Sequence, residues 1–252
     1  MPSPADTRDS MVSDSSFFAN APLLESSLII RVVPNEELQL SDLKAAERLL
    51  SDQYPATSPV VEEISKTTTE GGRTTSSTVT KDYGYAFKTA DESRGTQFRL
   101  DGLVVGRTGN KERWPTFEEE AKRLWDIYRQ IAKPTSISLL GLRYINRFDF
   151  NDKSCAKYFT TAPNSPPGYP KPDRWFLLTA SEISDLQADL TITQFITRPT
   201  KPEGTSLMLD LDIQCKKGVL ESNMWDRFEA LHNVMFTAFK ASLTGEGIKF
   251  IS

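Results

Sequence analysis

The sequence predicts an α+β fold in which antiparallel β-sheet carries amphipathic helices on one face. Three observations point there. Several segments alternate apolar and polar residues, the signature of strands with one buried and one wet face. Two long stretches instead repeat apolar residues at helical spacing, and each follows such an alternating strand. An apolar helix stripe needs a surface to cover, and the apolar face of a sheet supplies it.

The composition is that of a globular chain. It has 252 residues, 38% hydrophobic and 25% charged, enough for one large domain or two small ones. A net charge of −4 counts against a general nucleic-acid binder. Cys155 and Cys215 lack the spacing of a zinc site and are too few for a disulfide framework, so plain thiols in a reducing cytoplasm are expected. No apolar run has the length to span a bilayer, and the first residues are polar where a signal peptide is apolar. A cytoplasmic protein without a membrane partner is the expectation.

Residues 1–16 are rich in Ser, Asp and Pro and predict a disordered arm. Leu24 to Val33 is β-rich and stopped by Pro34. Ser41 is the predicted N-cap of a short helix that places Leu43, Ala46, Leu49 and Leu50 on one face and stops before Pro55. The threonine-rich stretch from Val60 to Thr89, broken at Glu70-Gly71-Gly72, predicts a long hairpin. Thr96 to Arg107 alternates Phe98, Leu100, Gly102 and Val104 against Gln97, Arg99 and Asp101, as one strand does.

The first long helix is predicted over 116–133. Thr116 and Glu119 have capping-box spacing, Glu118 to Glu120 suit the positive end of the helix dipole, and Pro134 ends it. Its stripe is Phe117, Ala121, Leu124, Ile127 and Tyr128. A long strand follows from Ser136 to Phe150, bent at Gly141 or shared between two sheets. Five prolines within 161–174 predict an extended connection. Beyond it, Leu186 to Thr197 and Ser206 to Cys215 form two strands, and a helix capped by Ser222 or Asn223 runs toward Gly245.

These elements divide the chain into the arm at 1–16, an α+β part at 17–160, the connection at 161–174, and a hairpin plus C-terminal helix at 175–252 that packs on the first part. Trp114, Phe117 and Glu118 superpose without a gap on Trp225, Phe228 and Glu229, and Leu124, Trp125 and Tyr128 on Met235, Phe236 and Phe239. Two related halves explain this, and so do two amphipathic helices that converge on aromatic anchors.

The chemistry concentrates in Leu142-Arg143-Tyr144-Ile145-Asn146-Arg147-Phe148-Asp149-Phe150. Alternation puts Leu140, Leu142, Tyr144, Asn146, Phe148 and Phe150 on one face and Arg143, Ile145, Arg147 and Asp149 on the other. Arg143, Asn146, Arg147 and Asp149 are therefore candidate ligand-binding residues, with the arginines suited to an anion. Asn146 sits on the apolar face and is expected to bond the backbone of a neighbouring loop or helix end. Asp210 and Asp212 share one strand face and are candidate metal ligands, or else they neutralise Arg143 and Arg147 across the strands. His232, three residues after Glu229, is a conceivable general base and more simply a structural histidine. No phosphate-binding glycine loop appears, and no cofactor is expected. A basic strip at Arg99, Arg107, Lys111 and Arg113 is the only nucleic-acid feature.

The segments Asn20 to Glu25, Gly141 to Arg147, and the last helix with Leu231, His232 and Phe239 together resemble an uncharacterised, sporadically distributed prokaryotic family of about this length. Its members have no established activity. The resemblance implies a bacterial cytoplasmic protein and supplies no catalytic residues, and its sporadic spread suggests an accessory or defence locus for an interaction factor. The Ser/Asp-rich beginning and the proline-rich segment after Thr161 depart from it. The leading expectation is a non-catalytic interaction or regulatory factor that binds another protein or itself. The alternative is an enzyme or binding protein for a phosphate-containing ligand, using Arg143 and Arg147 and drawing on Asp210 and Asp212.

Overall fold

A computed structural model describes residues 22–70, 73–109, 112–151, 155–163, 165–170, 172–199 and 204–252. The predicted arm at 1–16, the Gly71-Gly72 turn and Lys111 lie outside them. The described strands are β1 (Leu23–Val33), β2 (Ala56–Glu70), β3 (Arg73–Lys88), β4 (Arg94–Arg99), β5 (Gly102–Thr108), β6 (Ser136–Phe150), β7 (Phe176–Ile183), β8 (Ala188–Thr197) and β9 (Thr205–Cys215). The helices are α1 (Leu40–Lys44), α2 (Ala46–Leu50), α3 (Trp114–Ala132), α4 (Met224–Ala241) and α5 (Gly245–Ile251).

All nine strands join one sheet in the order β2-β3-β4-β5-β1-β6-β9-β8-β7, and every neighbouring pair is antiparallel. The predicted α+β class is the one observed. The path also repeats: β1 and β6 each open a meander whose last strand, β5 or β9, pairs with the opener and leads into α3 or α4. The β1–β6 pairing joins the two passes.

The helices cover one face. Phe98 of β4 meets Tyr128 of α3 edge to face, and Phe148 of β6 stacks near Phe239 of α4. Leu28, Ile30, Leu103, Leu140, Leu142, Leu209 and Leu211 are fully buried on that side, each worth about 1.5–3 kcal/mol of transfer free energy. The two helix-opening tryptophans lean on each other's helix. Trp114 Nε1 donates to Glu229 Oε2 of α4 at 2.6 Å, while Lys122 of α3 lies 5.4 Å from the Trp225 ring.

Several elements differ from expectation. Thr96 to Arg107 is two strands, because the chain reverses at Leu100-Asp101 and pairs Arg99 with Gly102. The reversal changes parity, so Leu103 and Val105 are buried where continuous alternation favours Val104. Helix α3 starts at Trp114, ahead of Thr116, because Pro115 fits the first turn, where no backbone N–H is needed. Two short helices replace the one expected near Ser41, with Gln39 as N-cap and Leu49 exposed. Strand β6 keeps its predicted limits but lies between β1 and β9 within one sheet rather than two. Strand β7 and helix α5 were not anticipated.

Gly102 has φ +148°, and a Cβ there would overlap the Ile30 carbonyl oxygen, whereas a Cβ at Gly141 meets only ordinary contacts from 3.5 Å outward. Gly102→Ala is expected to destabilise the fold by about 2 kcal/mol or more, and Gly141→Ala to stay within about 1 kcal/mol of the parent. Urea unfolding of the two variants checks the contrast.

Candidate functional site

The two sides of β6 present two different sites. Toward the helices, register aligns Arg107 of β5, Ser26 of β1 and Tyr144 of β6 side by side. Arg107 is only 8% exposed. Its Nε donates to Ser26 Oγ at 2.9 Å, its Nη1 donates to the Glu112 carbonyl at 2.7 Å, and its guanidinium lies 4.5 Å from the Phe117 ring centre. Burial lowers its pKa.

His232 reaches into this row from α4. Its Nδ1 shares a 2.9 Å hydrogen bond with the Tyr144 hydroxyl, and its ring stacks on Trp114 with centroids 4.4 Å apart and planes 6° from parallel. Burial pushes its pKa down to about 4, against a smaller opposing pull from Glu229. Burial also raises the Tyr144 phenol, so both groups are neutral at pH 7. Glu229 serves Trp114 rather than forming a base pair with the histidine. The cluster ties α3, α4 and three strands together, and the structural role of His232 follows from its partners.

The opposite face of β6 carries none of the described helices, and there a cleft of about 720 Å³ crosses β6, β9, β8 and β7. Arg143 lies at its β6 end. Its Nε and Nη2 donate to the carboxylate of Asp210 at 2.6 to 3.2 Å, diagonally across the strands, because Arg143 itself stands opposite Asp212. This two-pronged contact raises the Arg143 pKa. Asp212 also lines the cleft and accepts from Gln214 Nε2 at 3.1 Å. Burial raises its carboxyl pKa, and the neighbouring Asp210 adds to the rise.

The predicted residues therefore separate. Arg143, Asp210 and Asp212 meet in the cleft. Arg147 stands four residues along the strand, roughly 13 Å away. It contacts Asp149 at 3.3 Å, the Arg198 carbonyl at 3.2 Å and Ser206 Oγ at 3.4 Å, and Ser206 also bonds Asp149. Asn146 is buried on the helix side, where its Nδ2 donates to the Leu209 carbonyl of the adjacent strand at 3.3 Å, rather than to a loop or helix end. Of the basic strip, Arg107 is buried toward the helices while Arg99 bonds Gln97 on its own strand.

Among the described residues, no group of three or more histidine, cysteine, aspartate or glutamate side chains converges as a metal site. A cation at Asp210 and Asp212 would have to be held by two carboxylates, one of them already engaged by Arg143. Cys155 and Cys215 are separate buried thiols. No described helix is long and apolar enough to cross a membrane.

Sequence reasoning found the β6 faces and the carboxylates of β9, but neither Trp114 as the partner of His232 nor the Arg107–Ser26 bond beside Tyr144. Their positions span 26 to 232, and only strand register brings them together. Glu182, Asp189 and Lys216 of the cleft were missed as well. No family model and no curated protein matches this chain.

Between pH 6.5 and 4, an unfolded histidine holds a proton that native His232 does not. Its contribution to stability is complete above about pH 6.5 and falls as the pH drops toward 4, by about 3 kcal/mol in all. His232→Phe keeps an aromatic ring beside Trp114 and removes the titration. Urea unfolding at pH 8, 6, 5 and 4.5 is expected to show a shallower acid loss in the variant than in the parent.

Proposed function

We propose that this is a non-catalytic binding protein whose ligand docks in the cleft on the helix-free face of the sheet. The observation that carries it is the lining of that cleft. Carboxylates at Glu182, Asp189, Asp210 and Asp212 gather with the cations Arg143 and Lys216 and with hydroxyls from β7 and β8. The lining thus holds an excess of negative charge, and burial together with the neighbouring Asp210 raises the Asp212 pKa against the opposing pull of Gln214, Arg143 and Lys216. A ligand with positive charge and hydrogen-bonding groups complements it.

A second version keeps the cleft and reverses the ligand's sign. The Arg143 side chain is 45% exposed against 17% for Asp210, so the guanidinium stands at the mouth, where a phosphate-bearing ligand would compete with Asp210 for it. The resemblance to a prokaryotic family without established activity is compatible with either version and adds no residue to them.

Because the Arg143–Asp210 pair is partly exposed, Arg143→Ala is expected to cost no more than about 1 kcal/mol and to leave the protein folded. Melting curves of the parent, Arg143→Ala and Asp212→Asn with spermidine and with pyrophosphate separate the versions. A spermidine shift in the parent that shrinks in Asp212→Asn supports the cationic ligand. A pyrophosphate shift that vanishes in Arg143→Ala supports the anionic one, and no shift with either probe removes the cleft as a site for charged small ligands.

A further inference from the structure

The geometry points to strand β7 as a docking edge, on which an extended, basic segment of another protein adds as a tenth strand. This rests on the binding-protein reading and extends it from the cleft to the sheet edge beside it.

The sheet has two outer strands, and only one is guarded. Strand β2 carries Pro59 and a register break between Val60 and Val61, both of which spoil an edge for further pairing. Strand β7, Phe176-Leu177-Leu178-Thr179-Ala180-Ser181-Glu182-Ile183, has neither proline nor lysine, and it pairs with β8 through eight residues without a break. No described strand lies on its outer side. Among the described residues no backbone hydrogen bond takes up its outward N–H and C=O groups, which form the regular row that strand addition uses.

The side chains on the helix-free face say what would add. Phe176 and Leu178 are 66% and 54% exposed at one end of β7, with Phe176 stacked near Phe195 of β8. At the other end Glu182 stands directly across from Asp189. Two like charges at opposed positions repel, and neither forms an ion pair among the described residues. An added strand that places apolar side chains beside Phe176 and Leu178 and a lysine or arginine beside Glu182 relieves that repulsion. A second copy of this chain fits less well, because β7 carries no lysine or arginine to set beside Glu182.

The test uses the full-length protein and two capped, dye-labelled heptapeptides, Lys-Thr-Lys-Thr-Val-Thr-Val for antiparallel addition and Val-Thr-Val-Thr-Lys-Thr-Lys for parallel addition. Each is compared with a version in which glutamate replaces lysine and with two versions N-methylated at odd or at even positions. Fluorescence anisotropy is expected to show binding of one lysine peptide, abolished by one N-methyl pattern and kept by the other, and weakened at least tenfold by glutamate. The surface variants Leu178→Lys and Glu182→Lys are each expected to weaken binding at least tenfold while leaving the melting temperature near that of the parent.

Binding that survives both N-methyl patterns overturns strand addition, since side-chain charge alone then accounts for it. A concentration-dependent dimer of the parent that Leu178→Lys makes monomeric overturns the heterologous partner and assigns the edge to a second copy. If neither lysine peptide binds at millimolar concentration while spermidine or pyrophosphate still stabilises the protein, the edge proposal fails and the cleft remains.

Discussion

The antiparallel pairing of β1 with β6 at the middle of the sheet is the constraint on which the rest depends. Opposed residues in such a pair share a face, so Leu28 with Leu142, Ile30 with Leu140 and Ser26 with Tyr144 all turn toward the helices. Slipping one strand by a single residue would send Leu140 and Leu142 to water and Arg143 into the core. The same register places Tyr144 beneath His232 and Arg143 beside the carboxylates of β9. One pairing thus sets the dry layer, the buried polar cluster and the charged cleft together.

The two faces impose different rules on charge. On the helix side, Arg107 is held by a hydroxyl, a carbonyl and an aromatic ring, and His232 by a phenol and an indole. A buried polar group left unpaired costs about 1–3 kcal/mol, so few arrangements of α3 and α4 over the sheet satisfy all of these groups at once. The helix side is therefore specified by its polar contacts as well as by its apolar ones. Trp114 reaching to Glu229 and Lys122 reaching to Trp225 extend that specification to both helix starts.

How much was legible follows from the same physics. The faces of β6 could be read because alternation is a local property, and Asp210 could be named as a partner of Arg143 because cross-strand neutralisation needs only the charges and adjacent strands. The hairpin at Leu100-Asp101 was hidden, since Phe98, Leu100, Gly102 and Val104 continue an unbroken alternation through a turn that reverses it. The partners of His232 and Arg107 were hidden because they come from β1, β6 and α3, which only the folded register assembles. Strand β7 was hidden for a different reason: most of its residues are exposed on both faces, so burial leaves no periodic mark on its sequence.

The same exposure bears on where the proposed ligand docks. Water screens charges on the helix-free face, so Glu182 and Asp189 can stand opposed there at a cost far below what two unpaired carboxylates would incur beneath α3 or α4. The helix side has committed its polar groups to holding the fold, and altering them alters stability first. The helix-free side retains Arg143 at a cleft mouth, the carboxylates of Asp210 and Asp212 beside it, and a regular strand edge at β7. Groups whose interactions are incomplete within the fold are the ones able to gain free energy from a partner, and on this face Glu182, Asp189 and the outer edge of β7 are such groups.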